Sequence, residues 1–208
     1  MAKARTKGTT ETTGTTGTKE SASSGFIPPH GGYQDLLSYQ KALIVYDATL
    51  YFCNRNFSKF DRTREQMIQA ARSGKQNILE GSEASGTSKK TEIKLTNTAR
   101  ASLKELLEDY RDFMRNRGIE EWESHHRYAL RLRQLNRTPN ADYSTFKKAI
   151  EHSDPAVGAN AIAGLIKVTC YLLDRQIERL EKDFLREGGL RERMTRARLA
   201  ARSKQGQQ

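Results

Sequence analysis

The sequence predicts an all-α protein: an antiparallel four-helix bundle with an inserted helical excursion before the last bundle helix. Three observations carry that prediction. Apolar residues recur at three- and four-residue steps over long stretches, which is the period of an amphipathic helix. Capping residues and glycines bound those stretches. Short links join the first three, which favours antiparallel neighbours. A chain of 208 residues suits one domain with appendages, or at most two small domains. Its hydrophobic fraction of 36% is low, but the deficit sits at the two ends, so the middle can bury a core.

Residues 1–32 are rich in threonine, glycine and serine. Such a segment cannot offset the entropy of ordering, so a disordered arm is expected there. Phe26 and Ile27, beside Pro28-Pro29, are expected to dock locally. A first helix is expected over about 34–57, with Leu36, Tyr39 or Gln40, Leu43, Tyr46, Leu50 and Cys53 facing inward. A second is expected over about 62–81, capped by Asp61 and ended by Gly81. Its inner stripe (Met67 or Ile68, Ala71, Lys75, Ile78 or Leu79) is thin, and Ala70, Ala71, Ser73 and Gly74 permit close helix approach. Residues 82–89 read as a loop.

Thr87 or Ser88 can cap the third helix, which runs to about 117 and ends at Gly118. Ile93, Thr96, Leu103, Leu106 or Leu107, Tyr110 and Phe113 or Met114 form its inner face. Residues 119–153 form the insertion: a helix of about 17 residues within 119–136, then a turn at Thr138-Pro139-Asn140 and a short helix over DYSTFKKAIEH. Asp154-Pro155 starts the last bundle helix, which runs to about 187. Its first half is small and apolar all round, which fits either central burial or a subunit interface. Gly188-Gly189 breaks it. The domain is therefore 33–187, followed by a basic suffix at 188–208 that fits a short partner-induced helix or a solvated tail.

The formal net charge of +11 and pI near 9.7 favour polyanionic partners. Cys53 and Cys170 lack ligand-spaced company and read as buried free thiols of a reducing compartment. No run of apolar residues reaches the roughly 20 that a membrane span needs, and no signal peptide is visible. A cytoplasmic protein that does not engage a membrane is expected.

Three motif segments then stand out: AspLeuLeuSerTyrGlnLysAla at 35–42, GlnMetIleGlnAlaAlaArgSerGlyLysGlnAsnIleLeuGluGly at 66–81, and ThrAlaArgAlaSerLeuLysGluLeu at 98–106. They resemble the bacterial four-helix-bundle family encoded within 23S rRNA intervening sequences. Gln40-Lys41-Ala42, Gln66, Ala70-Ala71, Ser73, Asn77-Ile78, Glu80-Gly81, Ala99, Ser102 and Glu105 fit its pattern, and Gln69 stands where arginine is usual. The resemblance covers 33–116, and 155–187 by helix type. Residues 119–153 exceed the usual length, and 188–198 resemble the suffix of a subgroup. The resemblance implies a pentameric ring. A relative of that fold, the accessory protein of diversity-generating retroelements, implies nucleic-acid binding and a reverse transcriptase as protein partner.

Three residue sets are candidates for function. Gln66, Asn77, Glu80, Gly81, Ser102 and Glu105 form a structural motif expected to lock the second turn and the start of the third helix. Lys75, Lys89, Lys90, Lys94 and Arg100 fit either a phosphate-binding patch near a helix start or a solvated face. Arg191, Arg193, Arg196, Arg198, Arg202 and Lys204 carry guanidinium forks suited to phosphate, and the tail's apolar face is too small for a membrane surface. His125-His126 point about 100° apart on a helix, a poor metal pair. The carboxylates show no di-iron pattern. No nucleophile constellation or phosphate-cradling loop is present. The expectation is a protein without enzymatic activity, cofactor or metal, which binds RNA or DNA as a homo-oligomer. The alternative is a protein-interaction scaffold.

Overall fold

The computed structural model describes Ile27 and residues 30–205, so most of the expected 1–32 arm, including Phe26 and Pro28-Pro29, lies outside the described residues. A short 3-10 turn at Tyr33–Asp35 leads into seven helices. They are α1 (Leu37–Asn56), α2 (Arg62–Ala84), α3 (Lys89–Arg115), α4 (Arg127–Asn136), α5 (Tyr143–Ile150), α6 (Pro155–Glu187) and α7 (Leu190–Gln205). Helices α1, α2, α3 and α6 pack around one core in that cyclic order. Ser38 of α1 donates to Gln176 of α6 at 2.7 Å, while Phe52 at the other end of α1 lies beside Gly158 near the start of α6. The two helices are therefore antiparallel, as short links require of α1 with α2 and of α2 with α3.

The caps work as the sequence predicts. Asp61 accepts from Thr63 N at 2.9 Å, Ser88 from Thr91 N at 3.2 Å, and Asp154 from Ala156 N at 2.8 Å. Each satisfies one of the free amides that begin a helix. Asp142 and Thr145 close a reciprocal capping box on α5. At the heart of the core, the Phe52 ring meets Phe113 at 4.9 Å, Tyr110 at 5.2 Å and Phe57 at 6.4 Å. Tyr110 is fully buried, and its hydroxyl donates to Thr49 Oγ1 at 3.2 Å, so its polar end is satisfied.

The first half of α6 resolves one alternative in favour of central burial. Ala159, Ala161, Ile162, Leu165 and Ile166 are all fully enclosed, with α1, α3, α4 and α5 packed around the helix. The small residues are what that crowding requires: a Cβ on Gly158 would lie 3.1 Å from the Ile150 carbonyl of α5.

Four expectations need correction. In α1 the buried stripe is Ser38, Lys41, Ala42, Val45, Thr49 and Phe52, whereas Leu43 and Leu50 face outward. Ile44, Ala48 and Cys53 are buried with that stripe, Cys53 as expected, and Leu36, Tyr39 and Tyr46 pack against the core at its edge. α2 runs through Gly81 to Ala84. Gly81 is buried instead of terminal, because a Cβ there would sit 3.4 Å from the Glu92 carbonyl and from Leu95 Cβ of α3. Residues 119–126 are not helical, because the Asn160 side chain of α6 bonds the backbone of Glu120 and Trp122. The chain does contain an 18-residue window within Pro155–Gln205 with mean hydropathy 1.6, and 61% of that window is buried in the bundle. Lys167 interrupts any simple apolar run there, which hides the window from a count of consecutive apolar residues.

Candidate functional site

The structure sets out the candidate residues in three groups, and a fourth place lies outside them. The motif set comes together only in part. Gln66, Ser73, Ser102 and Glu105 line one open cavity of about 540 Å³ between α2 and α3. The Ser73 and Ser102 hydroxyls are 3.1 Å apart, and Asn77 Nδ2 donates back to the Ser73 carbonyl at 2.9 Å. Asn77 thus braces its own helix. Glu80 is exposed and accepts from Gln76 at 3.4 Å. The fastening of the α2 end falls to residues the sequence reading passed over: Gly31 N donates to the Ser82 carbonyl at 3.3 Å, and Ser82 Oγ donates to the Gly31 carbonyl at 3.1 Å.

The first basic set splits. Lys75 lies 4.9 Å over the Tyr46 ring, on the α1/α2 seam. Lys89 pairs with Glu92 at 3.0 Å. Lys90, Lys94 and Arg100 line a groove between α3 and α6, and Asp174, Glu178 and Glu181 line the same groove. Arg100 pairs with Asp174 and donates to Asn97 at 2.6 Å. Arg175 of α6 lines the groove as well and pairs with Glu178 at 2.7 Å, so three carboxylates face four cations there. The sequence could not show this, because the two helices lie some seventy residues apart in the chain.

The second basic set is α7. None of its side chains is buried. Among the described residues, Arg191, Arg193, Arg196, Arg198, Arg202 and Lys204 form no ion pair. Arg196 donates to the Glu187 carbonyl, where a cation complements the end of a helix. Glu192, the helix's one carboxylate, is occupied by Gly189 N at 2.9 Å. Gly188, at φ +72°, supplies the left-handed residue that lets the chain leave α6 and start again.

The fourth place was missed. Asn160, buried on α6, accepts from Trp122 N at 2.7 Å and donates to the Glu120 carbonyl at 3.0 Å. One side-chain amide thereby takes the backbone partners that a helix through 119–126 would have used. Nearby, Glu121 bridges Lys167 at 2.5 Å and Arg111 at 3.1 Å. Burial pushes its carboxyl up, but these hydrogen bonds outweigh that and hold it below its ordinary range. The signal was a lone asparagine in the apolar run from Pro155, which has to find partners when buried.

The titratable core groups are quiet. Burial pushes the Cys53 thiol up to about 12 and the Cys170 thiol up to about 11, so neither is a thiolate nucleophile at neutral pH. His126 Nδ1 accepts from Tyr128 N at 3.3 Å and His152 Nδ1 from Asp154 N at 3.1 Å, both as helix-start contacts. Among the described residues, no three His, Cys, Asp or Glu side chains are grouped to hold a metal ion. Comparisons of the chain with known families, with curated proteins and with solved structures returned no match.

Proposed function

We propose that this all-α bundle is a non-enzymatic, oligomeric accessory protein that binds RNA or DNA through basic surfaces and works beside a protein partner such as a reverse transcriptase. The single observation that carries the reading is α7: six cations on one helix, five of them exposed and Arg193 half-buried, with no ion pair among the described residues. Such a helix offers its full charge to phosphates and gains from the release of their counterions. The motif resemblance to the intervening-sequence family supports the oligomeric part, with a pentamer as the expected ring in the cytoplasm. Leu37, Leu43 and Leu50, exposed along α1, add to that support. Lys90 and Lys94 are secondary contacts in this reading.

The test is anisotropy of labelled single- and double-stranded RNA and DNA with the purified protein at about 50 and 200 mM salt. The expected result is binding that weakens steeply with salt and falls again when 188–208 are removed. No binding to any of the four at the lower salt sinks the reading. The same exposed α1 leucines favour a second reading, an oligomeric protein-interaction scaffold without nucleic-acid binding. An intact oligomer by light scattering, together with no nucleic-acid binding, selects it.

A further inference from the structure

The turn that joins α1 to α2 carries the most exposed large apolar side chain among the described residues: Phe60 is 98% exposed. The turn itself is well tied. Phe60 N donates to Ser58 Oγ at 3.3 Å, Asp61 N donates to the Ser58 carbonyl at 3.1 Å, and the Asp61 side chain caps α2. Phe57, at the other end of the turn, packs on the Phe113 ring at 5.5 Å. One aromatic side chain thus anchors the turn to the core, and the other is held out in water.

Cations surround that exposed ring. Residues 54–64 hold Arg55, Lys59, Arg62 and Arg64 against one carboxylate, Asp61, which accepts from Thr63 N. The end of α3 meets the same turn: the Arg117 guanidinium lies 3.8 Å over the Phe113 ring and 6.0 Å over the Phe57 ring. Arg64 donates to Asn54 at 2.6 Å, and Arg55 to the Tyr51 hydroxyl at 3.0 Å. None of these five cations forms an ion pair among the described residues. Of the carboxylates in the flanking helix turns, Asp112 pairs with Arg115 at 2.6 Å, Asp109 is half-buried, and Glu65 lines the α2–α3 cavity beside Arg62.

A partner for this end of the bundle has to bring negative charge spaced along a chain, together with flat faces for the ring. A duplex keeps its base faces inside the stack. An acidic peptide brings charge without a flat face in each unit. A membrane surface needs a wider apolar face than one ring. A single nucleic-acid strand alternates both groups, phosphates and unpaired bases. We infer that the α1–α2 turn is a second nucleic-acid contact, selective for single strands, in which an unpaired base stacks on Phe60 and the flanking phosphates meet Lys59, Arg62 and Arg117. The inference rests on the nucleic-acid reading for the nature of the polymer, but not on α7. Phe52, one turn before the α1–α2 turn, lies beside Gly158 near the start of α6, whereas α7 is rooted at the other end of that 33-residue helix, about 50 Å away. α7 takes a polyanion by charge, and the turn adds a preference for unpaired bases.

The test uses the full-length protein and three variants at exposed positions: Phe60→Ala, Phe60→Trp, and Lys59→Gln with Arg62→Gln. Labelled oligothymidylate, an abasic strand of equal length and a duplex are titrated at about 50 mM salt and above. Polyglutamate and phosphatidylserine vesicles are titrated beside them. Phe60→Ala is expected to weaken oligothymidylate about ten-fold, the size of one lost base stack, and to leave the abasic strand and the duplex unchanged. The double variant is expected to weaken both single strands and to lower their salt slope by about 1.4. The wild-type chain has one tryptophan, Trp122, so the emission that Phe60→Trp adds reports the turn. Oligothymidylate is expected to quench it saturably, and the abasic strand to leave it unchanged. Strand binding with no effect of Phe60→Ala, or an equal loss for all three nucleic acids, overturns the turn as a base contact and leaves the α7 reading intact. A fall in subunit number with Phe60→Ala, by light scattering, overturns it too, because the ring then belongs to an interface. A response of the added emission to vesicles or polyglutamate without strand binding overturns both readings, as does no response to any probe.

Discussion

The two ends of α6 are the instructive contrast. Near its start, Ala159, Ile162, Leu165 and Ile166 are fully enclosed by four other helices, and small residues dominate because each extra carbon meets a neighbour. Near its end, Ile177 and Leu180 are the last buried side chains, Leu185 is 84% exposed, and the α7 that follows buries nothing. One continuous helix thus passes from structural ballast to solvent-facing surface. Chemistry follows packing: apolar walls and the Asn160 amide gather where the helix is wrapped, ion-paired arginines (Arg175, Arg179 and Arg186) line its bare end, and cations without an ion pair among the described residues follow on α7.

The largest effects should come from the wrapped end. Phe52→Ala removes the ring that meets Tyr110, Phe113 and Phe57. It should cost about 3–5 kcal/mol in urea unfolding, against less than about 0.5 kcal/mol for Leu185→Ala at the bare end. Equal losses would erase the contrast. Next is Asn160→Ala, which frees Trp122 N and the Glu120 carbonyl. A loss of about 1–3 kcal/mol is expected, with a red-shifted Trp122 emission as the strap moves into water. An unchanged spectrum would mean that the strap does not depend on Asn160.

A smaller effect has a pH signature. Burial, then the neighbouring charges of Glu105 and Asp112, push Asp109 up to about 6. A carboxyl whose folded pKa is raised binds its proton more tightly in the folded protein. The fold is therefore favoured at low pH and loses that advantage as pH rises from about 4 through about 6. Asp109→Asn should raise stability by ~1 kcal/mol at pH 7, after allowance for solvent screening, and by little at pH 4. Thermal unfolding at both values checks this, and a gain that is the same at both pH values refutes the raised pKa. The smallest stability effect belongs to α7: Arg191→Gln with Arg198→Gln should leave the melting temperature within about 2 °C, and the proposed function requires that the pair also weaken nucleic-acid binding at low salt.

Local signals in the sequence were legible wherever one residue decides one bond. Asp61, Ser88 and Asp154 cap as read, and Gly188 breaks α6 from α7. The buried face of α1 was not legible. Leu36, Leu43 and Leu50 repeat every seven residues and advertise an inner stripe, while the true one includes a lysine. Lys41 is 2% exposed with its ammonium 4.9 Å over the Phe146 ring, and burial lowers its pKa. An aromatic face from a helix one hundred residues later makes that burial tolerable, and no local pattern announces it. The α3–α6 neutralisation of Arg100 and the Asn160 bonds to Glu120 and Trp122 escaped for the same reason: both are made by elements distant in the chain. By contrast, α7 needs no partner, and its charge could be read directly.

The joint at Gly188-Gly189 has an electrical consequence. A helix of 16 residues extends about 24 Å, while in physiological salt the field of a charge fades over about 8 Å. The outer turns of α7, with Arg202 and Lys204, therefore lie between about two and three screening lengths along the helix from its root. The carboxylates of the α3–α6 groove are near Asp174, on the far side of that root. The outer cations of the arm therefore act independently of the bundle's carboxylates, whereas Arg191, Arg193 and Arg196 near the root share the field of Glu187 and Glu192.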